Sequence, residues 1–331
     1  MADSLRPADY IGYRDAAHDI LGRHSGAEAI TAFGLDELLD PASPAADLTP
    51  VYAFLEAQGQ RCADTPALAR LGLTGTLTDP ASTGTPPLLL GSALGNTRLI
   101  GVPGRLPSST VAVDLPGTGL VALPDVSGSV QPPAFPGADD YVTVLDPRLV
   151  PVTDATTLVP ERELNGRGAD MVSRTQLGAS AELLGVIDRM LTDAITYSKQ
   201  RQQFGRPLAS YQSLQHLLAW AATERHQLIS LYDVAVGSVV RGPLDPQLAR
   251  AVKALAGRTL HAVAQTSIQV TGGISFTWEY PQHVQHRRGL ALDQLAGASA
   301  DLIAAIGRQT RTEGTVPDLV DLHELAKSMA S

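Results

Sequence analysis

The sequence predicts a mainly α-helical protein in which a small β-domain separates a helical N-terminal region from a C-terminal four-helix bundle. Apolar residues at helical spacing fill the last half of the chain and recur near its start. Between these parts, short apolar runs alternate with glycine, proline and serine, which is typical of a small antiparallel sheet or barrel. The changes of pattern place the three predicted regions at residues 1–73, 74–165 and 166–331.

The N-terminal region is predicted to be helical but reduced in size. Leu35–Leu39 and Val51–Leu55 have helix-like apolar spacing, and Pro41, Pro44 and Pro50 interrupt it. We therefore expect short helices here rather than one long one.

The middle region is predicted to form short strands. Its apolar runs, each bounded by turn residues, are Leu88–Leu90, Leu99–Val102, Val111–Val113, Gly119–Leu123 and Tyr141–Leu145. Strands and helices do not alternate in this region, so a doubly wound nucleotide-binding fold is not expected.

The C-terminal region is predicted to be a helical bundle that begins near residue 168. Four apolar stripes at helical spacing lie within Leu183–Ile195, Leu214–Ala221, Leu248–Leu255 and Leu290–Ile306. The breaks between them contain glycine or proline, at residues 205–207, 242–243 and 271–273. Each stripe is explained by core packing, so the breaks are the more informative places to look for function.

Composition excludes several classes of protein. Of the 331 residues, 44% are hydrophobic and 18% charged, which is typical of a globular chain and not of a disordered one. No apolar run reaches the length of a membrane span, and Met1–Arg6 lacks the pattern of a signal peptide, so we expect a cytoplasmic protein without a membrane partner. A net charge of −9 argues against nucleic acid as a partner. The single cysteine, Cys62, excludes a disulfide framework or a cysteine-based metal site, and we expect it to be a small structural residue.

One break between helices has the residues of an anion site. In Tyr197–Leu208 a long helix is predicted to end in an arginine-rich turn, broken by Gly205 and Pro207, and a new helix follows at once. Arginine side chains and free N-terminal amides then lie close together, and the planar guanidinium of Arg201 suits a diphosphate. A solvated helix corner would have the same sequence.

A second break combines an amide side chain with paired glycines. In Ile268–Pro281, Gly272 and Gly273 permit positive φ and allow a ligand to approach the backbone, and Gln269 adds hydrogen-bond donors and acceptors. A helix C-cap would explain the glycines equally well.

Together the two segments resemble the C-terminal domain of acyl-CoA dehydrogenases, whose members carry Tyr-x-x-x-Arg-x-x-Phe-Gly-x-x-Leu followed later by Gln-x-x-Gly-Gly-x-Gly-Phe. The resemblance covers about residues 165–310. Thr271 and Ser275 depart from it, since many members have His and Gly there.

In this family two protomers share each FAD. The resemblance implies that the residues contacting a neighbour's FAD are Arg201, Gln203, Phe204, Gly205, Gln212, Gln269, Gly272 and Gly273.

The resemblance also implies a glutamate base that removes the α-proton of an acyl-CoA, and this chain lacks it. The positions used by the two branches of the family hold Ala296 and Thr175 here, and neither side chain ionises near neutral pH. We therefore expect no catalytic residue in this chain. Acids that are candidates only by proximity are Asp293, Asp301, Glu182 and Glu224.

The front half departs further from the family. Members open the β-domain with Thr-Glu-x-x-x-Gly-Ser-Asp, whereas this chain offers only Thr78–Gly84, which we interpret as a turn. We expect a subunit that completes the FAD site of a full-length acyl-CoA dehydrogenase in an α2β2 assembly, acting on an acyl-CoA, such as a steroid side-chain thioester, with a separate electron-transfer acceptor. Two alternatives stay open: a self-sufficient homo-oligomer with a displaced base, and a scaffold that binds neither flavin nor thioester.

Overall fold

The computed structural model describes residues 6–40, 47–74 and 167–313, together with the backbone of short strands between residues 92 and 160. Helices dominate this part of the chain and the strands lie between two helical regions, which confirms the predicted fold class. The N-terminal helices are α1 (Tyr10–Ile20), α2 (Gly26–Phe33), α3 (Thr49–Arg61) and α4 (Ala67–Leu73).

One of the two apolar segments predicted as helical in the N-terminal region is not a helix. Val51–Leu55 lies in α3, but Leu35–Leu39 forms turns after α2. Gly34 takes the left-handed conformation at φ 81° and ends α2 there, which apolar spacing alone could not indicate. Cys62 is the residue after α3, and burial raises the pKa of its thiol to about 11, as suits an inert structural cysteine.

The described strands are short and antiparallel, as predicted. They are β1 (Ser92–Ala93), β2 (Ile100–Pro103), β3 (Thr110–Leu115), β4 (Gly119–Pro124), β5 (Val130–Gln131), β6 (Val142–Leu145) and β7 (Thr156–Pro160). One sheet has the order β1-β2-β6-β5 and another the order β3-β4-β7. Leu88–Leu90 and the Thr78–Gly84 segment lie outside the described residues.

The C-terminal helices are α5 (Arg167–Gln200), α6 (Gln212–Val239), α7 (Pro246–Thr271), α8 (Gln282–Gln294) and α9 (Ser299–Glu313). The last apolar stripe, predicted as one helix, therefore lies on two helices, α8 and α9. Ala296 and Gly297 have φ of 55° and 106°, and this left-handed pair cannot continue a right-handed helix. The segment Gln282–Thr312 is long and apolar enough to cross a membrane by length and composition, but this break divides it, and core helices of bundles pass the same test.

Helix α5 is the centre of the described structure and packs against α3, α6, α7 and α8. Its contact with α3 is unusually close. A Cβ atom on Gly185 would lie 2.0 Å from the carbonyl oxygen of Glu56, and one on Gly59 would lie 2.0 Å from that of Glu182. The two backbones therefore touch directly, because neither glycine has a side chain to hold them apart.

Candidate functional site

A tight hairpin follows the end of α5 and carries the first group of candidate residues. Its strands are β8 (Gln202–Gln203) and β9 (Arg206–Pro207), joined by Phe204 and Gly205 at φ 52° and 79°. Two consecutive left-handed residues define the type I′ turn that suits a two-residue hairpin. The turn presents the Phe204 ring to solvent, where 93% of the side chain is exposed.

Tyr211 holds this hairpin from the start of α6. Its hydroxyl donates to the carbonyl oxygen of Gln203 at 3.0 Å, and the Arg206 guanidinium carbon lies 4.0 Å from the centre of its ring. Leu208 N donates to the carbonyl oxygen of Arg201 at 2.9 Å at the base of the hairpin. A left-handed Phe204 costs about 1–2 kcal/mol, and this clamp offsets that cost, so the hairpin has its shape before any ligand binds.

The polar candidate side chains of this segment are available to a ligand. Arg201, Gln203 and Gln212 are exposed, and within the described residues their side chains form neither hydrogen bonds nor ion pairs. A planar guanidinium with all its donors unused is the group best suited to a diphosphate. The sequence predicted these residues but not Tyr211, whose role depends on a side chain folding back onto the hairpin.

The second segment, after α7, is a short 3₁₀ helix (Gly272–Phe276) with open space beside its glycines. Gly272 has φ 69°, and a Cβ atom added at Gly272 or Gly273 would meet nothing within 4 Å. Gln269, one turn earlier, is exposed and has no side-chain hydrogen bond in the described part of the chain. The backbone here can thus be approached closely by a ligand.

The two departures from the family pattern bond inward and leave this approach clear. Thr271 Oγ1 donates to the Ser267 carbonyl oxygen at 2.7 Å and lies 3.0 Å from Gln282 Oε1. Ser275 Oγ donates to the Gly272 carbonyl oxygen at 2.6 Å. Both hydroxyls are therefore occupied by neighbouring atoms of this chain.

The fold brings the two segments to one end of the bundle. The Tyr197 ring, just before the hairpin, contacts the Tyr280 ring, just after the 3₁₀ helix, with centroids 5.9 Å apart. Gln285 Nε2 also donates to Asp193 Oδ2 at 2.7 Å and ties α8 to the end of α5. We call residues 201–212 and 269–280 together the open end.

Large aromatic side chains also face solvent on these segments and on α6. The exposed fractions are 69% for Trp220, 76% for Phe276 and 79% for Trp278. Large exposed rings beside polar groups are typical of surfaces that meet another protein. Sequence pattern alone does not distinguish Trp220, since a tryptophan in a helical stripe fits core packing equally well.

The fold brings the segments that hold the two base positions together, at what we call the closed corner (Thr175, Gln176, Lys253, Asp293, Ala296). Gln176 Nε2 donates to the Ala296 carbonyl oxygen at 2.9 Å. Thr175 Oγ1 donates to the Met171 carbonyl oxygen at 2.8 Å within its own helix. Neither position offers a group that could remove a proton from carbon.

Asp293 is fully occupied in the same corner. Its carboxylate accepts from the Ser299 amide at 3.3 Å and the Ser299 hydroxyl at 3.2 Å, and lies 3.4 Å from His261 Nε2. Lys253, with no exposed surface, donates to the carbonyl oxygens of Asp293 at 2.9 Å and Gly297 at 3.2 Å. Burial lowers the pKa of Lys253 to about 8, and the nearby carboxylate opposes that shift.

The remaining acidic candidates do not form a catalytic group either. Glu182 is buried against Arg288, whose Nε donates to it at 2.6 Å; burial raises the pKa of this carboxyl and the guanidinium opposes the rise. Glu224 pairs with Arg258 at 2.9 Å on the surface, and Asp301 is exposed in the first turn of α9. The first two carboxylates thus have structural partners, and Asp301 lies in open solvent.

Comparison with known proteins gives the following similarities. Residues 171–310 match the family model "Acyl-CoA dehydrogenase, C-terminal domain". The acyl-CoA dehydrogenase FadE34 of Mycobacterium tuberculosis is 32% identical over 170 residues, which cover 50% of this chain and 23% of that protein. The matched part spans between 23% and 37% of the length of the first three curated relatives.

Two solved structures share the fold over nearly the whole chain. A variant of the Tcur3481-Tcur3483 steroid ACAD has a TM-score of 0.67 at 20% identity, covering 98% of this chain and 99% of that one. The ChsE4-ChsE5 complex from Mycobacterium tuberculosis has a TM-score of 0.61 at 18% identity, covering 94% and 95%. At this identity the likeness concerns the fold.

Proposed function

From the match of residues 171–310 to the acyl-CoA dehydrogenase C-terminal domain, we propose that this chain is a subunit of an FAD-dependent acyl-CoA dehydrogenase and completes a flavin site held mainly by a partner. The partner is a full-length acyl-CoA dehydrogenase subunit that supplies the catalytic glutamate, in an α2β2 assembly. On its own the chain is inactive.

The contrast between the two ends of the domain carries this proposal. At the open end, Arg201 and Gln269 are exposed and unpaired within the described residues. At the closed corner, the two base positions hold Thr175 and Ala296. A chain with ligand-ready groups but no base is suited to serve an active site whose base comes from another chain.

The residues of the open end fit a flavin dinucleotide. Arg201 would pair with the diphosphate, and Gln203, Gln212 and Gln269 would supply amide donors and acceptors to its polar edges. Phe204 would cover an aromatic face, and the space beside Gly272 and Gly273 would admit the ligand to the backbone. When bound, the flavin supplies the two-electron acceptor for α,β-dehydrogenation of the acyl-CoA.

The hetero-oligomer and the acyl-CoA substrate in this proposal are supported by similar proteins. The likeness to a steroid ACAD and to the ChsE4-ChsE5 complex supports a hetero-oligomer acting on an acyl-CoA such as a steroid side-chain thioester. A separate electron-transfer protein would reoxidise the flavin. We propose that this takes place in the cytoplasm, with neither membrane nor nucleic acid as a partner.

The test is flavin retention by the co-expressed complex after dialysis. Losing an Arg–phosphate contact shielded at an interface costs about 1.5–3 kcal/mol, so Arg201→Ala should weaken flavin retention roughly tenfold to a hundredfold. Arg201→Lys should recover only part, since a point charge cannot replace the planar fork. The matched control is Arg308→Ala, which removes an exposed arginine from α9.

The outcomes separate the three hypotheses. Full flavin content in an assembled Arg201→Ala complex would contradict the shared site. A yellow chain that oxidises acyl-CoA without any partner would instead favour the homo-oligomer with a displaced base. A colourless product with or without a partner would favour the scaffold.

A further inference from the structure

A cavity of about 510 Å³ lies where α3 and α5 begin and α6 turns into α7. This is within the size range of small-molecule sites in proteins. The residues that line it are Asp47, Leu48, Tyr52, Asp170, Ser173, Arg174, Val239, Val240, Arg241, Gly242, Pro243 and Leu244. None of them belongs to the open end or to the closed corner.

Tyr52 in the cavity wall is a buried polar group without a partner. The side chain has no exposed surface, and its hydroxyl forms no hydrogen bond within the described structure. Burial raises the pKa of this phenol, so it stays a neutral O–H donor at physiological pH. A buried donor left unpaired destabilises a protein, and such a group calls for an explanation at the site where it lies.

Arg174 adds positive charge to the same wall. One of its terminal nitrogens donates to the Gly72 carbonyl oxygen at 3.4 Å, and the guanidinium is partly withdrawn from water. Arg241 stands exposed on the α6–α7 turn at the rim. The lining also holds two acids: Asp170, exposed at the N-terminus of α5, acts electrostatically on Arg174, and Asp47 Oδ1 accepts from the Thr49 amide at 2.9 Å.

The other part of the lining is apolar, from Leu48, Val239, Val240, Pro243 and Leu244. Donors on one wall and an apolar surface beside them match a ligand with an acceptor head and an apolar body. We propose that this cavity binds a small amphipathic carboxylate, with its head at Arg174 and Tyr52 and its body against the α6–α7 turn.

The site is separate from the proposed flavin site. Arg174 and Arg201 stand at opposite ends of α5, about 40 Å apart at 1.5 Å per residue. Arg174 and Gln176 are two residues apart, about 200° around the helix, so Arg174 lies on the side of α5 away from the contact with Ala296. Binding here can therefore be tested independently of flavin content.

The experiment is isothermal titration calorimetry of the chain with two carboxylates, laurate and deoxycholate. Their apolar parts differ in shape, and both are used below their critical micelle concentrations. At least one of these carboxylates should bind saturably, and Arg174→Gln should weaken its binding at least tenfold. Tyr52→Phe should weaken it about threefold to tenfold while leaving the melting temperature of the unliganded chain equal or higher, because an unpaired hydroxyl is removed. Dodecanol, which lacks the carboxylate, should bind at least tenfold more weakly than laurate.

A second variant keeps the test valid if Arg174→Gln folds poorly. Val240→Trp, at an exposed position of the rim, should block the cavity without disturbing the core. The proposal is overturned if neither carboxylate binds saturably, or if Tyr52→Phe and Val240→Trp bind as well as the wild type. Flavin content of the co-expressed complex should be unchanged in all these variants.

Discussion

At the open end, Arg201, Gln203 and Gln269 reach solvent unpaired within the described residues, whereas at the closed corner Gln176 and Lys253 donate to carbonyl oxygens of this same chain. Both regions are polar, so composition does not distinguish them. The difference is whether the polar groups form hydrogen bonds within the chain or are exposed to solvent. Groups satisfied internally contribute to folding, while groups left to solvent remain available for binding.

This comparison predicts that substitutions in the two regions have separate consequences. Changes near the closed corner should alter the free energy of unfolding and leave flavin retention per folded complex intact. Changes at the open end should alter flavin retention or assembly and leave unfolding almost unchanged. A variant with the opposite behaviour would break the distinction.

The largest effect is expected at the buried pair that joins α5 to α8. Arg288→Met leaves Glu182 buried without its cation, which should cost about 3–5 kcal/mol of unfolding free energy. Burial already raises the pKa of Glu182. A carboxyl whose folded pKa exceeds its unfolded value binds more protons in the folded state, so its contribution to stability falls as pH rises above about 4.3.

The loss in Arg288→Met should therefore be smaller near pH 5 than at pH 7, as measured by urea unfolding. The double variant Glu182→Met/Arg288→Met should recover most of it, because no charge remains buried. A loss independent of pH, and unrelieved in the double variant, would show that the pair is not the cause.

The next effect concerns Lys253 and appears only at alkaline pH. Its folded pKa of about 8 lies below the unfolded value of about 10.4, so between these values the unfolded chain binds more protons. The unfolding free energy should therefore gain up to about 3 kcal/mol from this group as pH rises from 8 to 10. Lys253→Met should lack the gain, while Lys199→Met, at an exposed lysine of α5, should keep it.

On α6 we expect Trp220 to anchor the partner. Trp220→Ala should raise the dissociation constant of the hetero-complex by about 30-fold, equivalent to about 2 kcal/mol, as at a central interface tryptophan. Ile303→Ala, at an exposed apolar residue of α9, should leave it unchanged. Analytical ultracentrifugation of the co-expressed pair would measure both dissociation constants, and an unchanged value in Trp220→Ala would mean that the interface is elsewhere.

The smallest effect tests the hairpin clamp. Tyr211→Phe removes the hydroxyl that holds Gln203 but keeps the ring under Arg206, at a cost of about 0.5–1.5 kcal/mol. Flavin retention should fall about threefold to tenfold, and further in Tyr211→Leu, which also loses the ring. Tyr13→Phe, at an exposed tyrosine of α1, serves as the control. An unchanged Tyr211→Leu complex would show that the hairpin needs no clamp.

Apolar spacing was enough to predict α5, α6 and α7, because a long amphipathic helix repeats its signal over many turns. It failed at Leu35–Leu39 and at the α8–α9 break, where one or two left-handed residues end a helix while the apolar pattern continues. Sequence pattern records side-chain polarity, and these breaks are decided by backbone torsion.

The candidate site divides in a similar way. Residues 201–212 are contiguous, so the segment could be recognised from local order alone. The partnership of Lys253 with Asp293 joins residues 40 positions apart in the chain, and no local pattern indicates it. The same holds for Tyr52 and the α6–α7 turn, which meet only in the folded chain.

The close contact of α3 and α5 at Gly59 and Gly185 has a consequence for how the protein unfolds. With α3 and α5 at backbone distance, neither helix can swing away without exposing the buried Glu56 and Glu182 that lie beside the crossing. The backbone amide hydrogens of α3 and α5 should thus exchange with solvent in one cooperative step, with the same dependence on denaturant. The amides of the hairpin at residues 201–207 should exchange far earlier, through local fluctuation alone.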